Sequence, residues 1–280
     1  MKALLVFLFS FSLGLQVNAD ADTSAFQPAL TRLKLLGDSV LRGKSDQARS
    51  QANAEFSALI DSILNTAGGA GLSFKNLECL SVAASGDGKV KLISWMLLLK
   101  SEQPSYTFYG YLLHRKETGV PFTVVRLEAS QSGSKEEMEN LKLQPPDWHG
   151  CIYYAVIHHR YKKNDHYMLL GWAPLSPAIT RKLVEPLRIQ EKKVQLGAPV
   201  IRAGGKAKHR LVFDYNAQAT MTLRYDERMK MLVMDHLSPS DPRPEAKGMY
   251  NLYGPDFSYD GLKFAKGHWN FLRDIDVRNR

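Results

Sequence analysis

Lys89-Val90-Lys91-Leu92-Ile93-Ser94-Trp95-Met96-Leu97-Leu98-Leu99 is the stretch that decides the fold of this chain. Its period is two. Val90, Leu92, Met96 and Leu98 fall on one face and Ile93, Trp95, Leu97 and Leu99 on the other, so it reads as a strand covered on both sides. The apolar run is bounded by lysines and falls short of the ~20 residues that a membrane-spanning helix needs. Asp87-Gly88 just ahead of it is a hairpin signal, because this pair tolerates the positive φ of a type I′ turn.

The same alternation continues downstream. Residues 106–114 and 122–127, joined through Glu117-Thr118-Gly119, extend a hairpin-linked meander. A second hairpin is expected from 151–161 and 166–172, turning at 162–165. A turn of helix is expected at 179–182. Further strands follow at 183–189, 194–201, 210–215, 220–225, 231–236, 259–264 and 268–272, with a basic glycine loop at 202–208 and a proline loop at 238–244. Roughly a dozen strands at these spacings make the chain mainly β, an arrangement of antiparallel meander sheets as a barrel, a sandwich or a small propeller-like array.

Upstream the period changes to that of a helix. Phe26, Leu30, Leu33, Leu36 and Val40, then Ala48, Ala52, Phe56, Leu59 and Ile63, form an apolar stripe suited to packing on a sheet. Gly37 and Gly43 interrupt it, which predicts two helices, and the glycines of 66–71 end the second. The expected organisation is a signal peptide at 1–19, a helical N-terminal segment at 20–76 and an antiparallel β domain at 77–280. The signal peptide is read from Lys2, the apolar run 3–9 continued by Phe11, Leu13 and Leu15, and Val17-Asn18-Ala19 as the cleavage site. An exported chain, periplasmic or extracellular, without a transmembrane segment in its mature part, is the expectation.

The chain carries 37 Lys and Arg against 28 Asp and Glu, a formal charge of +9, of which Lys2 would leave with the signal. The resulting excess favours anionic partners such as lipid head groups or polysaccharides through long-range steering. Nucleic acid is a poor partner for an exported chain, and no nucleic-acid module is recognisable. Cys79 and Cys151 would meet an oxidising compartment, where a disulfide closing a loop of about 70 residues is permitted. A domain of this length can equally bury both as small apolar groups.

Candidate chemistry is sparse. In the 151–172 hairpin, a turn at 162–165 sets His159 opposite Met168 and Tyr161 opposite His166, so His159 and His166 share a face two residues out of register. Two imidazoles can begin a zinc site, but three or four ligands are needed, and a solvated polar face is the weightier reading. His149-Gly150-Cys151 places a base beside a thiol, yet chain neighbours seldom face each other on a strand. Gly-x-Ser-x-Gly is absent, and Gly68, Gly69 and Gly71 lack the Lys-Ser/Thr of a phosphate loop. No cofactor motif is present. Asp256 and Asp260, with Asp274 and Asp276, could serve glycoside hydrolysis or calcium, although Asp260-Gly261 reads more simply as a turn. The aromatic tail of Tyr250, Tyr253, Phe257, Tyr259, Phe264, Trp269 and Phe271 offers either a sugar platform or a packed end of the core. Leu262 and Phe264 share a face within reach of Trp269 across the turn 265–267, which favours the core. The polar stretch 128–149 is a candidate lid or partner-binding loop, weighed against a plain solvated connection.

Three stretches carry a resemblance: Gly171-Trp172; residues 213–219 (Phe-Asp-Tyr-Asn-Ala-Gln-Ala) with Leu223-Arg224-Tyr225-Asp226; and Asp235-His236-Leu237 leading to Tyr253-Gly254-Pro255-Asp256-Phe257-Ser258-Tyr259-Asp260 and Trp269. They resemble a family of secreted proteins of the Bacteroidota type, over most of the chain from about residue 77. The likeness implies export and brings no assigned activity. The expectation is therefore a non-catalytic, exported binding or envelope-associated protein. The alternative is an envelope-directed hydrolase using His149, Cys151 or the late aspartates. A deep pocket converging histidine and carboxylate would favour the enzyme, and a flat sheet with a basic aromatic face the binder.

Overall fold

The computed structural model describes residues 23–130, 133–190 and 193–277; the expected signal peptide at 1–19 lies outside them. Helices α1 (Gln27–Arg42) and α2 (Asp46–Asn65) come first. Only Gly43 of the two expected interruptions separates them. Ser45 caps α2 by accepting from the Ala48 amide at 3.1 Å. The buried Arg49 donates to Gly43 O at 2.6 Å and to Leu98 O at 3.0 Å, tying the break to the sheet. Gly37 stays inside α1 for a packing reason: a Cβ there would lie 2.5 Å from Cys79 Sγ. None of the described helices is long and apolar enough to cross a membrane.

Three open sheets follow. The first contains β1 (Ser81–Ala84), β2 (Val90–Leu99), β3 (Ser105–His114), β4 (Thr123–Ala129) and β5 (Asp147–Trp148), in that order. The second has the order β12 (Leu211–Asn216), β8 (Ile179–Gln190), β7 (Asn164–Pro174), β6 (Ile152–Tyr161), with β9 (Lys193–Leu196) also on β8. The third runs β11 (Lys206–Lys208), β10 (Ile201–Ala203), β16 (His268–Leu272), β15 (Tyr253–Ala265), β14 (Met231–Pro239), β13 (Leu223–Asp226). Pairing is antiparallel apart from β4 with β5 and β10 with β16. The fold is mainly β with an N-terminal helical pair, and none of the sheets closes into a barrel.

Three apolar clusters set the layering. Alternate residues of β2 and β3, including Ile93, Trp95 and Leu113, pack on Leu33, Phe56 and Ile60 of the helices. Trp95 Nε1 also donates to the buried Asn53 Oδ1 at 2.8 Å. The other face of the first sheet, with Val90, Leu92 and Leu112, meets Tyr153, Leu169 and Leu183 of the second. The second sheet's far face, with Met168, Leu170 and Val184, meets Leu232, Met234, Leu262 and Trp269 of the third. Helices and sheets thus stack in the order helices, first, second, third. The double burial read from residues 89–99 follows from this order, because Leu92 and Ile93 are both fully buried on opposite faces.

Several expectations need correction. Residues 179–182 are the start of β8, not a helical turn: β7 and β12 pair with them on either side, and Arg181 makes a two-bond contact with Asp214 on β12. Paired neighbours on both edges override local preference. Pro186 falls where β12 stops pairing with β8 and β9 begins, so its missing N–H breaks no ladder. Asp87-Gly88 lies in a four-residue loop, with Ser85 and Val90 bonded across it, not in a two-residue turn. Of the stretch 128–149, residues 128–129 end β4 and residues 134–149 form a plug, not a lid. Within it α3 (Lys135–Asn140) starts with a reciprocal Ser134–Glu137 capping box, and Met138, Leu143, Trp148 and His149 are buried. The candidate disulfide is not formed. Cys79 packs with the helices on one side of the first sheet, whereas Cys151 is buried between the first and second sheets.

Candidate functional site

A cleft of about 890 Å³ opens between the first and second sheets at the end where β3 stops and the β6–β7 turn projects. Its volume suits a small ligand, for which pockets on the order of 300–1,000 Å³ are usual. From the first sheet come Lys89 before β2 and His114, Arg115 and Lys116 at the end of β3; from the second come Lys163, Asp165, His166 and Arg188. Five cations and one carboxylate therefore line it, and that carboxylate is already paired, Lys89 Nζ to Asp165 Oδ2 at 2.8 Å. Arg115 is held in place by donating from Nε to Gly88 O at 2.9 Å and by lying over the Phe122 ring at 4.4 Å. Among the described residues, no carboxylate forms an ion pair with Arg115, Lys116, Lys163 or Arg188. Unpaired cations around a concave wall focus a positive field into it.

The β6–β7 hairpin builds one side of this cleft and departs from expectation by two residues. It turns at Lys162-Lys163 alone, with φ of 48° and 66°, so Tyr161 pairs with Asn164 and His159 lies directly opposite His166. The two histidines are half-buried against the third sheet. His159 stacks on Phe264 with centroids 5.1 Å apart and lies 4.8 Å from Trp269, and His166 is 5.7 Å from Phe264. Burial lowers the pKa of both. Trp269 is core, 3% exposed, and lies directly opposite Phe264.

The neighbouring histidine on the opposite face, His158, had no part in the sequence reading. Its Nε2 lies 2.9 Å from Asp165 Oδ1 and 3.5 Å from Asp87 Oδ2. Asp87 reaches it from the β1–β2 loop, and the three ligand atoms lie within 4.8 Å of one another. Among the described residues these are the ones whose donor atoms converge as a metal would require. The signal in the sequence was weak, since Asp87 doubles as the loop's turn former, accepting from the Lys89 amide at 3.1 Å.

Asp256 and Asp260 are brought together with His236. His236 Nδ1 is 2.8 Å from Asp260 Oδ2, and Nε2 is 4.0 Å from Asp256 Oδ2. The β14–β15 ladder shifts register here, and Phe257 emerges 96% exposed with φ of 68°. His149 and Cys151 are buried and do not meet the late aspartates. His149 Nε2 instead lies 3.1 Å from the fully buried Glu185 Oε2, to which Tyr153 OH also donates at 2.5 Å. Arg210 closes this network from the other carboxylate oxygen at 2.6 Å. Burial and the adjacent Glu185 push the Cys151 thiol well up, so it is held as the inert thiol.

Acid should weaken the fold in two stages. His114 on the cleft wall and His209 beside Arg210 have pKa values lowered from 6.5 by burial, His209 also by Arg210, Lys142 and Arg188. Their contribution is complete above the unfolded value and is lost as pH falls through the lowered folded values. Burial raises the pKa of Glu185, but His149 and Arg210 more than reverse this and leave it at about 2. Its share is therefore present above 4.5 and lost as pH falls through about 2. Urea midpoints should begin to fall below pH 6.5 and fall further below pH 4.5. A midpoint that rose on acidification through the first window would contradict the assignment.

Comparisons with protein-family models, curated proteins and solved structures give no match to the chain.

Proposed function

We propose that the protein is a non-catalytic, exported binding protein of the cell envelope that takes an anionic ligand, a phosphate- or carboxylate-bearing glycan or head group, in the cleft between its first and second sheets. The carrying observation is the lining: five cations, four of them without an acidic partner among the described residues, around about 890 Å³. Arg115 supplies a planar, oriented donor set, and Lys116, Lys163 and Arg188 supply charge from separate segments. Anion recognition suits such a mixture of forked and point-like cations. The resemblance to secreted proteins and the excess of basic residues support the same reading. The hydrolase alternative retains two observations: the cleft itself, where His114 and His166 line the same walls as Asp165, and the alignment of His236 by Asp260 at 2.8 Å.

Titration calorimetry with inositol hexakisphosphate, a compact polyanion, tests the proposal. Lys116→Glu with Arg188→Glu should weaken binding at least tenfold, about 1.4 kcal/mol, while leaving the unfolding midpoint unchanged, because both side chains are on the surface. Binding unaltered by this double reversal would remove the cleft from consideration.

A further inference from the structure

We propose that Asp87, His158 and Asp165 form a binding site for one divalent transition-metal ion, with zinc the best match, on the wall that joins the first and second sheets. The first argument is the convergence of two carboxylates on a single nitrogen. His158 Nε2 lies 2.9 Å from Asp165 Oδ1 and 3.5 Å from Asp87 Oδ2. An imidazole nitrogen carries at most one proton and can donate one strong hydrogen bond, so the second carboxylate gains nothing from that nitrogen as a donor. A cation among the three atoms satisfies all of them. Bonds of about 2.0–2.1 Å in a tetrahedron give ligand–ligand edges of about 3.3 Å, which lies between the two separations found.

The surroundings match what a metal's ligands require. Asp87 Oδ1, the oxygen turned away, accepts from Ser85 Oγ at 2.5 Å and the Lys89 amide at 3.1 Å, and Tyr167 OH donates to Oδ2 at 2.8 Å. Asp165 Oδ2 is held by Lys89 Nζ at 2.8 Å, which leaves Oδ1 for the ion. The His158 ring lies against Tyr167, centroids 5.3 Å apart. Such outer partners fix the orientation of ligating side chains. Two carboxylates, one ammonium and a neutral imidazole leave a net negative charge facing the ion, and a nitrogen–oxygen donor set favours zinc over calcium or magnesium. The second Asp-His-Asp group lacks this convergence: Asp260 and Asp256 approach different nitrogens of His236, which one ion cannot bridge. The ligands come from β6, β7 and the β1–β2 loop, and Asp165 and Tyr167 also line the cleft, so the ion would clamp its two walls and leave a fourth position beside it.

The full chain, stripped with chelator, is titrated with zinc chloride against a chromogenic competitor, with no inositol hexakisphosphate present, so failure of the cleft reading would not touch the result. One equivalent should bind, with affinity at least tenfold weaker in His158→Ala and in Asp87→Asn, and unchanged in His236→Gln. Zinc should also raise the thermal midpoint of the wild type and of His236→Gln but not of Asp87→Asn, a readout that stands if His158→Ala fails to fold. Less than one equivalent, affinity retained in both ligand variants, or affinity lost only in His236→Gln would overturn the site. An equal shift of the thermal midpoint by magnesium would overturn the choice of metal.

Discussion

Arg210→Ala should lower the unfolding free energy by about 3–5 kcal/mol, the cost of stripping one partner from a buried ion pair. Arg210 and Glu185 are both fully buried, joined through Arg210 Nε at 2.8 Å and Nη2 at 2.6 Å to the same carboxylate oxygen. Arg210 Nη1 donates to Met138 O and to Leu141 O at 2.7 Å, so the same side chain pins the plug formed by residues 134–149. Alanine would leave a buried carboxylate with only His149 and Tyr153, and would take the Arg210 donor from the carbonyls of Met138, Leu141 and Leu196. Replacing both partners, Glu185→Leu with Arg210→Met, should cost less than Arg210→Ala alone, because no charge is then left uncompensated. Urea unfolding of the three chains decides it. A loss under about 1 kcal/mol for Arg210→Ala would mean that water reaches Glu185.

Trp269→Ala should cost about 3–5 kcal/mol, as for other buried large aromatics. Its ring is enclosed by Phe264 at 5.3 Å and His159 at 4.8 Å, and its amide donates to Val200 O at 2.8 Å where β16 meets β10. It therefore bonds the second sheet's hairpin tip to the third sheet. An unchanged unfolding midpoint together with weakened glycan binding would instead identify a surface platform.

What was legible in the sequence was periodic. Residues 89–99 announce a strand buried on two faces, and the 26–65 stripe announces a helical pair, because burial imposes a period that any window reveals. The His159–His166 register was not legible for a definite reason. Shifting a hairpin by two residues leaves every side chain on its own face, so alternation cannot separate the two pairings. Only the turn could, and Asn164-Asp165 look more like turn formers than Lys162-Lys163. The cleft was hidden differently. Lys89, Arg115, Lys163 and Arg188 are far apart in the chain and each alone reads as a solvated cation. The stacking of two sheets, which no local pattern encodes, makes them neighbours.

The anion-binding cleft is tested most directly by lysine-selective covalent labelling, read by mass spectrometry with and without inositol hexakisphosphate. Lys116 and Lys163 lie on the cleft wall, whereas Lys44 and Lys75 lie with the helices on the far side of the first sheet. Lys116 and Lys163 should be protected by the anion while Lys44 and Lys75 label as before. Equal labelling of all four with and without it, under conditions where calorimetry shows binding, would place the ligand elsewhere and contradict the account.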